Sequence, residues 1–133
     1  MVTLIDTSVW VSFLRGDGSR SHEWMKTKIR DPDGIVTTEP VLMELLAGAR
    51  RNSIHHLETV LAAVPTVSVR PELDFRGAGI LARTTRTQGL TVRSLVDCLI
   101  ASVALRLGLE IAHRDADYAA LAQVAPLVVT DLR

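Results

Sequence analysis

Four carboxylates stand where the neighbouring residues are apolar. Asp6 ends the run Val2-Thr3-Leu4-Ile5, and Glu44 interrupts Val41-Leu42-Met43-Glu44-Leu45-Leu46. Asp97 interrupts Leu95-Val96-Asp97-Cys98-Leu99-Ile100, and Asp115 follows Leu109-Glu110-Ile111-Ala112-His113. An ionised carboxylate taken out of water is costly unless it is paired, hydrogen-bonded or bound to a metal. If the fold gathers these acids they also repel one another, and a hard divalent cation with oxygen ligands offsets both penalties. The residue types therefore point to a magnesium or manganese site. Each acid also has a local explanation. Asp6 could be an N-cap, Glu44 could pair with an arginine, Asp97 could close a capping box with Ser94, and Asp115 or Asp117 could cap a last helix. Their joint occurrence favours a common site.

The elements that must position these acids alternate along the chain. Val2 to Ile5 reads as a strand, followed by a helix from Ser8 to Arg15, capped by Thr7 or Ser8 and broken at Gly16-Asp17-Gly18. A helix over 19–30, a strand over 35–37 and a helix from Thr38 to Ala49 come next, with Pro40 tolerated in the first turn. Asn52-Ser53 can cap a helix that Pro65 stops, before a strand over 66–69. A long helix then runs from Pro71 to Gln88, another from Ser94 to Leu107, and a short one from Ala116 to Ala122, with strands over 109–112 and 127–130. Short apolar strands separated by helices predict an α/β fold with a parallel sheet covered on both faces. Ligands of such sheets bind beyond the carboxyl ends of the strands, where strand order reverses. Asp6 and Asp115 are expected just there.

The 133 residues read as one domain, 1–133, with 47% apolar content and so enough material for a core. No run of eighteen apolar residues and no basic leader with a cleavage site is visible, so a membrane span and a signal peptide are not expected and the predicted location is cytoplasmic. The lone Cys98 sits in an apolar helical run, as a small hydrophobe would. The net charge is zero, yet of fifteen basic residues only Lys26 and Lys28 are lysine. Arginine matches phosphate oxygens bidentately, so a neutral chain can still offer a basic edge to nucleic acid. Arg76, Arg83, Arg86 and Arg93 are the densest such stretch, and surface ion pairing is the alternative use for them.

Four segments, Leu4-Ile5-Asp6-Thr7-Ser8, Glu44-Leu45-Leu46-Ala47-Gly48, Asp97-Cys98-Leu99-Ile100-Ala101 and His113-Arg114-Asp115-Ala116-Asp117-Tyr118, occur in an order and spacing that resembles the PIN-domain ribonucleases of the VapC toxin type. The resemblance spans essentially the whole chain. It implies a PIN-like three-layer α/β/α sandwich with a central, mainly parallel five-stranded sheet. It also implies a Mg²⁺-dependent endoribonuclease, with Mn²⁺ able to substitute, an RNA substrate, and a VapB-type antitoxin that blocks the site. A homodimer and a toxin–antitoxin hetero-oligomer are the implied assemblies. Carried over by position, Asp6, Glu44 and Asp97 match the family's acidic core, Asp115 matches the acid after the fourth strand, and Asp117 matches a further acid. The pattern leaves open whether Asp115 or Asp117 is the closer ligand. Ser8 holds the hydroxyl position beside the first acid.

Phosphodiester hydrolysis needs an activated water and charge stabilisation on the phosphate and leaving oxygen, both within reach of a carboxylate-held cation. No protein nucleophile is required. His22, His55 and His56 lie in polar stretches, and His113 has no cysteine or second histidine at a zinc-like spacing, although it is the best histidine candidate for a general base. A receiver-type phosphoacceptor would need paired acids after the first strand and a lysine near the site, and an aspartyl phosphatase would need Asp-x-Asp; the chain has neither pattern. A PIN-like nuclease for structured DNA and an inactive binding domain are the nearer rivals. The N-terminal helices, with Val9-Trp10-Val11, Phe13-Leu14 and Trp24, are apolar over a wide arc and are the expected antitoxin surface, core burial of both tryptophans being the alternative.

Overall fold

The computed structural model describes residues 1–133. In chain order the elements are β1 (Thr3–Ile5), α1 (Thr7–Arg15), α2 (Arg20–Ile29), β2 (Ile35–Thr38), α3 (Glu39–Gly48), α4 (Ile54–Ala62), β3 (Thr66–Val67), α5 (Pro71–Thr87), α6 (Leu95–Leu107), β4 (Glu110–His113), α7 (Ala116–Val124) and β5 (Val129–Asp131), with a 3-10 turn at Pro32–Gly34. The strands form one sheet in the order β3-β2-β1-β4-β5, and every adjacent pair is parallel. Leu4 sits between Val36 and Ile111 in register, so the middle of the sheet is apolar on each side. This is the α/β/α sandwich with a central five-stranded parallel sheet that the alternating pattern predicts.

Strand order places the site. The first three strands step outward from β1 in one direction, and β4 returns to its other side. The reversal therefore falls between β1 and β4, where the crossovers leave a crevice at the carboxyl edge. Asp6 directly follows β1, and Asp115 lies two residues beyond β4. The ladder carries on past the strand, since the Asp6 amide donates to the Ala112 carbonyl at 3.0 Å.

One cluster of 23 buried apolar residues joins sheet and helices, with Leu4, Ile5, Trp10, Met25, Ile100, Ile111, Tyr118 and Leu121 fully enclosed. Burying a side chain of this size contributes about 1.5–3 kcal/mol relative to leaving it exposed. Trp10 is thus a core residue, while Trp24 is half-buried with the Lys28 ammonium over its ring. The helices pack as α1 with α2 and α3, and α5 with α6 and α7. At the α5–α6 crossing a Cβ on Gly77 would run into Ser102 Oγ, so any larger residue there would have to turn the Ser102 hydroxyl aside.

Three boundaries differ from the pattern-based expectation for physical reasons. β3 stops after Val67 because the Val69 amide donates to the Glu39 carboxylate and the Ser68 carbonyl accepts from Arg106, which removes both from the ladder. Neither Thr7 nor Ser8 caps α1. Asp6 does, accepting from the Ser8 amide at 3.0 Å. Nor does the capping box at Ser94 form; the Ser94 side chain makes no cap bond, and the Arg93 and Ser94 amides are taken by Asp117 instead.

Candidate metal centre

Asp6 is 2% exposed, yet both its oxygens are engaged. Oδ2 accepts from the Ser8 amide and from Ser8 Oγ at 2.5 Å, and Oδ1 accepts from the Tyr118 hydroxyl at 2.6 Å. The same phenol lies 3.3 Å from Asp97 Oδ1. A tyrosine has one proton to give. The shorter contact to Asp6 takes it, so Asp97 must bring its own proton or leave two like dipoles facing each other.

Asp97, in the first turn of α6, is 6% exposed. Its carboxyl is pushed up to about 9, first by burial, then by a hydrogen bond with Asp117 and by the charges of Asp6, Asp115 and Asp117. Asp115 caps α7 by accepting from the Asp117 amide at 2.9 Å, while its own amide donates to His113 Nδ1. One oxygen from each of Asp97, Asp115 and Asp117 lies within 4.8 Å of the others. These three form the tight group. Asp6 stands beside it, linked to Asp97 through Tyr118. Glu44 lies outside it, on α3, where Oε1 accepts from Thr7 Oγ1 at 2.7 Å; its charge still helps raise Tyr118 well above its ordinary value, after burial, Asp6 and Asp97.

No lysine or arginine side-chain nitrogen comes within 4.0 Å of a carboxylate oxygen of Asp6, Glu44, Asp97, Asp115 or Asp117. A group of buried and half-buried acids without a cationic side chain, one member of which is pushed towards its protonated form, has the donor set and the charge deficit that a divalent cation satisfies. Asp117, like Asp6, already accepts hydrogen bonds on both oxygens, in its case from the amides before α6, whereas Asp115 accepts through Oδ1.

Tyr118 is the residue that sequence reasoning missed. It is the only tyrosine of the chain and lies one helical turn after Asp115, a spacing that returns its side chain to the same side. His113 is fully buried, its Nδ1 accepts a hydrogen bond from the Asp115 amide, Nε2 has no partner and burial lowers its basicity, so it supports the Asp115 turn and the Tyr118 ring rather than facing solvent. The arginines of α5, Arg76, Arg83 and Arg86, are exposed and pair with no carboxylate, which removes the surface ion-pair explanation for them.

Comparison with known proteins agrees with this geometry. The PIN domain model matches residues 3–124. The chain is 39% identical over 132 residues to Ribonuclease VapC11 of Mycobacterium tuberculosis, covering 98% of each chain. Its structure superposes on a member of the VapBC family of toxin–antitoxin systems, VapBC-5 of Mycobacterium tuberculosis, with a TM-score of 0.67 at 26% identity over 98% of each chain. It superposes on DNA-bound VapBC of Salmonella typhimurium with a TM-score of 0.79 at 14% identity over 100% of this chain and 99% of the other, a likeness of fold. Sheet order, acid cluster and these matches together make the chain a member of the PIN-domain family, of the VapC ribonuclease type.

Proposed function

We propose that residues 1–133 act as a single PIN unit, a Mg²⁺-dependent endoribonuclease that is the toxin of a VapBC-type pair in the cytoplasm, with Mn²⁺ able to replace Mg²⁺. The observation that carries this reading is the group of buried carboxylates with no cationic partner at the strand-order reversal. Asp6, Asp97 and Asp115 are the ligands we favour, with Asp117 positioning the α6 turn as well as contributing charge, and Glu44 facing them from α3. A bound cation supplies activation of water and stabilisation of charge on the phosphate. Tyr118 and Ser8 orient Asp6, and Thr7 orients Glu44, so these two carboxylates would face a cation in a fixed geometry.

Kinship with a ribonuclease and with toxin–antitoxin complexes supports RNA as substrate and a VapB-type antitoxin as partner, in a hetero-oligomer built on a toxin homodimer. For the antitoxin, a cavity of about 510 Å³ between α1, α3 and α4 is a better seat than the N-terminal helices as a pair. Val11 and Leu14 of α1 line it together with Leu45 and Leu57, and Glu44 stands at its wall, whereas Trp24 on α2 does not contribute. An amphipathic antitoxin segment there would bring a basic side chain to Glu44.

The test is cleavage of RNA by purified, antitoxin-free protein with Mg²⁺ and with a chelator. Cleavage that needs the cation and disappears in Asp6→Asn and Asp97→Asn proteins of unchanged fold is the expected result. Cleavage undiminished by chelation, or by both substitutions, overturns the reading.

A further inference from the structure

Beyond Ser8 from the acids lies a second opening, of about 400 Å³, that cation binding does not explain. Its wall carries three arginines from separate parts of the chain: Arg15 in the last turn of α1, Arg114 between β4 and α7, and Arg133 after β5. The hydroxyls of Ser8 and Ser12 also face it, and Asp17 is its one acid. Gathered guanidiniums repel one another unless an anion lies between them. Asp17 meets part of that need, at 3.4 Å from Arg114 Nη1, but its oxygens also accept from Ser12 Oγ and the Ser19 amide. Arg133 is held by both oxygens of Asp131, a residue that does not line the opening, and Arg15 pairs with no carboxylate. With Arg114 on Asp17 and Arg133 on Asp131, Arg15 is the guanidinium left without an anion, so the opening stays positive by the charge of one planar fork, a shape that suits a phosphate.

Ser8 joins the two regions. Its hydroxyl donates to Asp6 and accepts from the Arg114 amide at 2.9 Å, so acid cluster and arginine cavity share one side chain as a wall. A polyanion approaching the carboxylates is repelled, and a cationic grip one step along the strand would offset that and fix which bond meets the acids. We propose that this cavity is a phosphodiester-binding subsite for a phosphate next to the scissile one, with Arg15 and Arg133 as its contacting residues. The assignment rests on the ribonuclease reading.

The experiment replaces the charged linkages on either side of the cleaved bond, one at a time, by neutral methylphosphonates. In the wild-type chain one such replacement should lower kcat/KM about tenfold, and in the Arg15→Gln/Arg133→Gln protein the same replacement should have no further effect, because coupled groups lose their interaction only once. An equal penalty in both proteins, or no sensitive linkage in the wild type, overturns the subsite. If the wild-type chain cleaves no RNA with Mg²⁺, the functional reading fails, and the cavity is judged by inorganic phosphate alone. Saturable shifts of the Arg15 and Arg133 side-chain N–H resonances that vanish in the variant support it; their absence at any phosphate concentration that leaves the fold intact overturns it.

Discussion

Asp74 and Asp97 are the same residue at nearly the same depth, 1% and 6% exposed, and the fold treats them in opposite ways. Asp74 accepts from Arg106 Nε and Nη2, the latter at 2.8 Å, and from the Arg70 amide. Against the cost of burial, these bonds hold its carboxyl below the ordinary value. Asp97 has a phenol already committed elsewhere and three other aspartates, and is pushed up to about 9. Depth alone therefore does not mark a site. What distinguishes Asp97 is burial among like charges with the compensating cation left for something outside the chain to supply.

If the contrast is right, substitutions at the two places should fail differently. Asp97→Asn should lower Mg²⁺-dependent RNA cleavage about a thousandfold, the upper end of the loss when one electrostatic group is taken from a transition state. Its metal-free melting temperature should not fall. Initial rates and thermal unfolding on the same sample check both, and a lowered Tm with retained rate would erase the distinction.

Arg106→Met, which strands Asp74 in the interior, should cost about 3 kcal/mol of stability. Cleavage per folded molecule should be preserved. Denaturant unfolding measures the loss; a cost near zero would mean that the pair is replaceable by packing even one-sidedly.

The pH dependence of stability separates the two acids by sign. Asp97 binds its proton more tightly folded than unfolded, so its contribution is complete below the unfolded value of 3.8 and is lost as pH rises towards about 9. Asp74 is depressed, so its contribution is present above 3.8 and is lost as pH falls through its folded value. The metal-free protein should therefore lose stability between pH 6 and 8, by at most about 1.4 kcal/mol per pH unit, and Asp97→Asn should flatten that limb alone. Mg²⁺ should also flatten it, releasing about one proton on binding in this range. Calorimetry in buffers of different ionisation enthalpy counts the proton, and a zero count would place Asp97 ionised before the metal arrives.

Tyr118→Phe is the mildest change. It removes the hydroxyl between Asp6 and Asp97 while keeping the ring against His113, and should cost about 1 kcal/mol. Weaker Mg²⁺ binding without loss of fold is the expected signature in a titration.

The same comparison explains what was legible in the sequence. Asp6, Glu44, Asp97 and Asp115 stand out because each interrupts an apolar run, and interruption is a local signal. Asp74 sits in Pro71-Glu72-Leu73-Asp74-Phe75-Arg76, where it reads as an ordinary first-turn acid, and its partner lies 32 residues away. The parallel sheet, β3 included, was readable from short apolar strands between helices, but the early end of β3 was not, because Glu39 and Arg106 reach in from elsewhere to take its polar groups. Tyr118 stands in its motif with no chemistry of its own to mark it, since only the fold reveals that its hydroxyl ends between two acids. The sequence also could not rank the acids. Asp117 looked equivalent to Asp115 until its oxygens were seen holding the amides before α6.

The place of β1 sets the order in which such a centre can come into being. β1 is the first strand to leave the ribosome, yet it lies in the middle of the sheet, and one of its two neighbours, β4, begins only at Glu110. The Ser8–Arg114 bond that closes the crevice joins residues 106 apart. Contacts of that range must wait for loop closure and form late. Asp6 and Glu44 are thus made long before Asp97 and Asp115 can meet them, and the acid cluster is assembled only after the chain has passed Arg114.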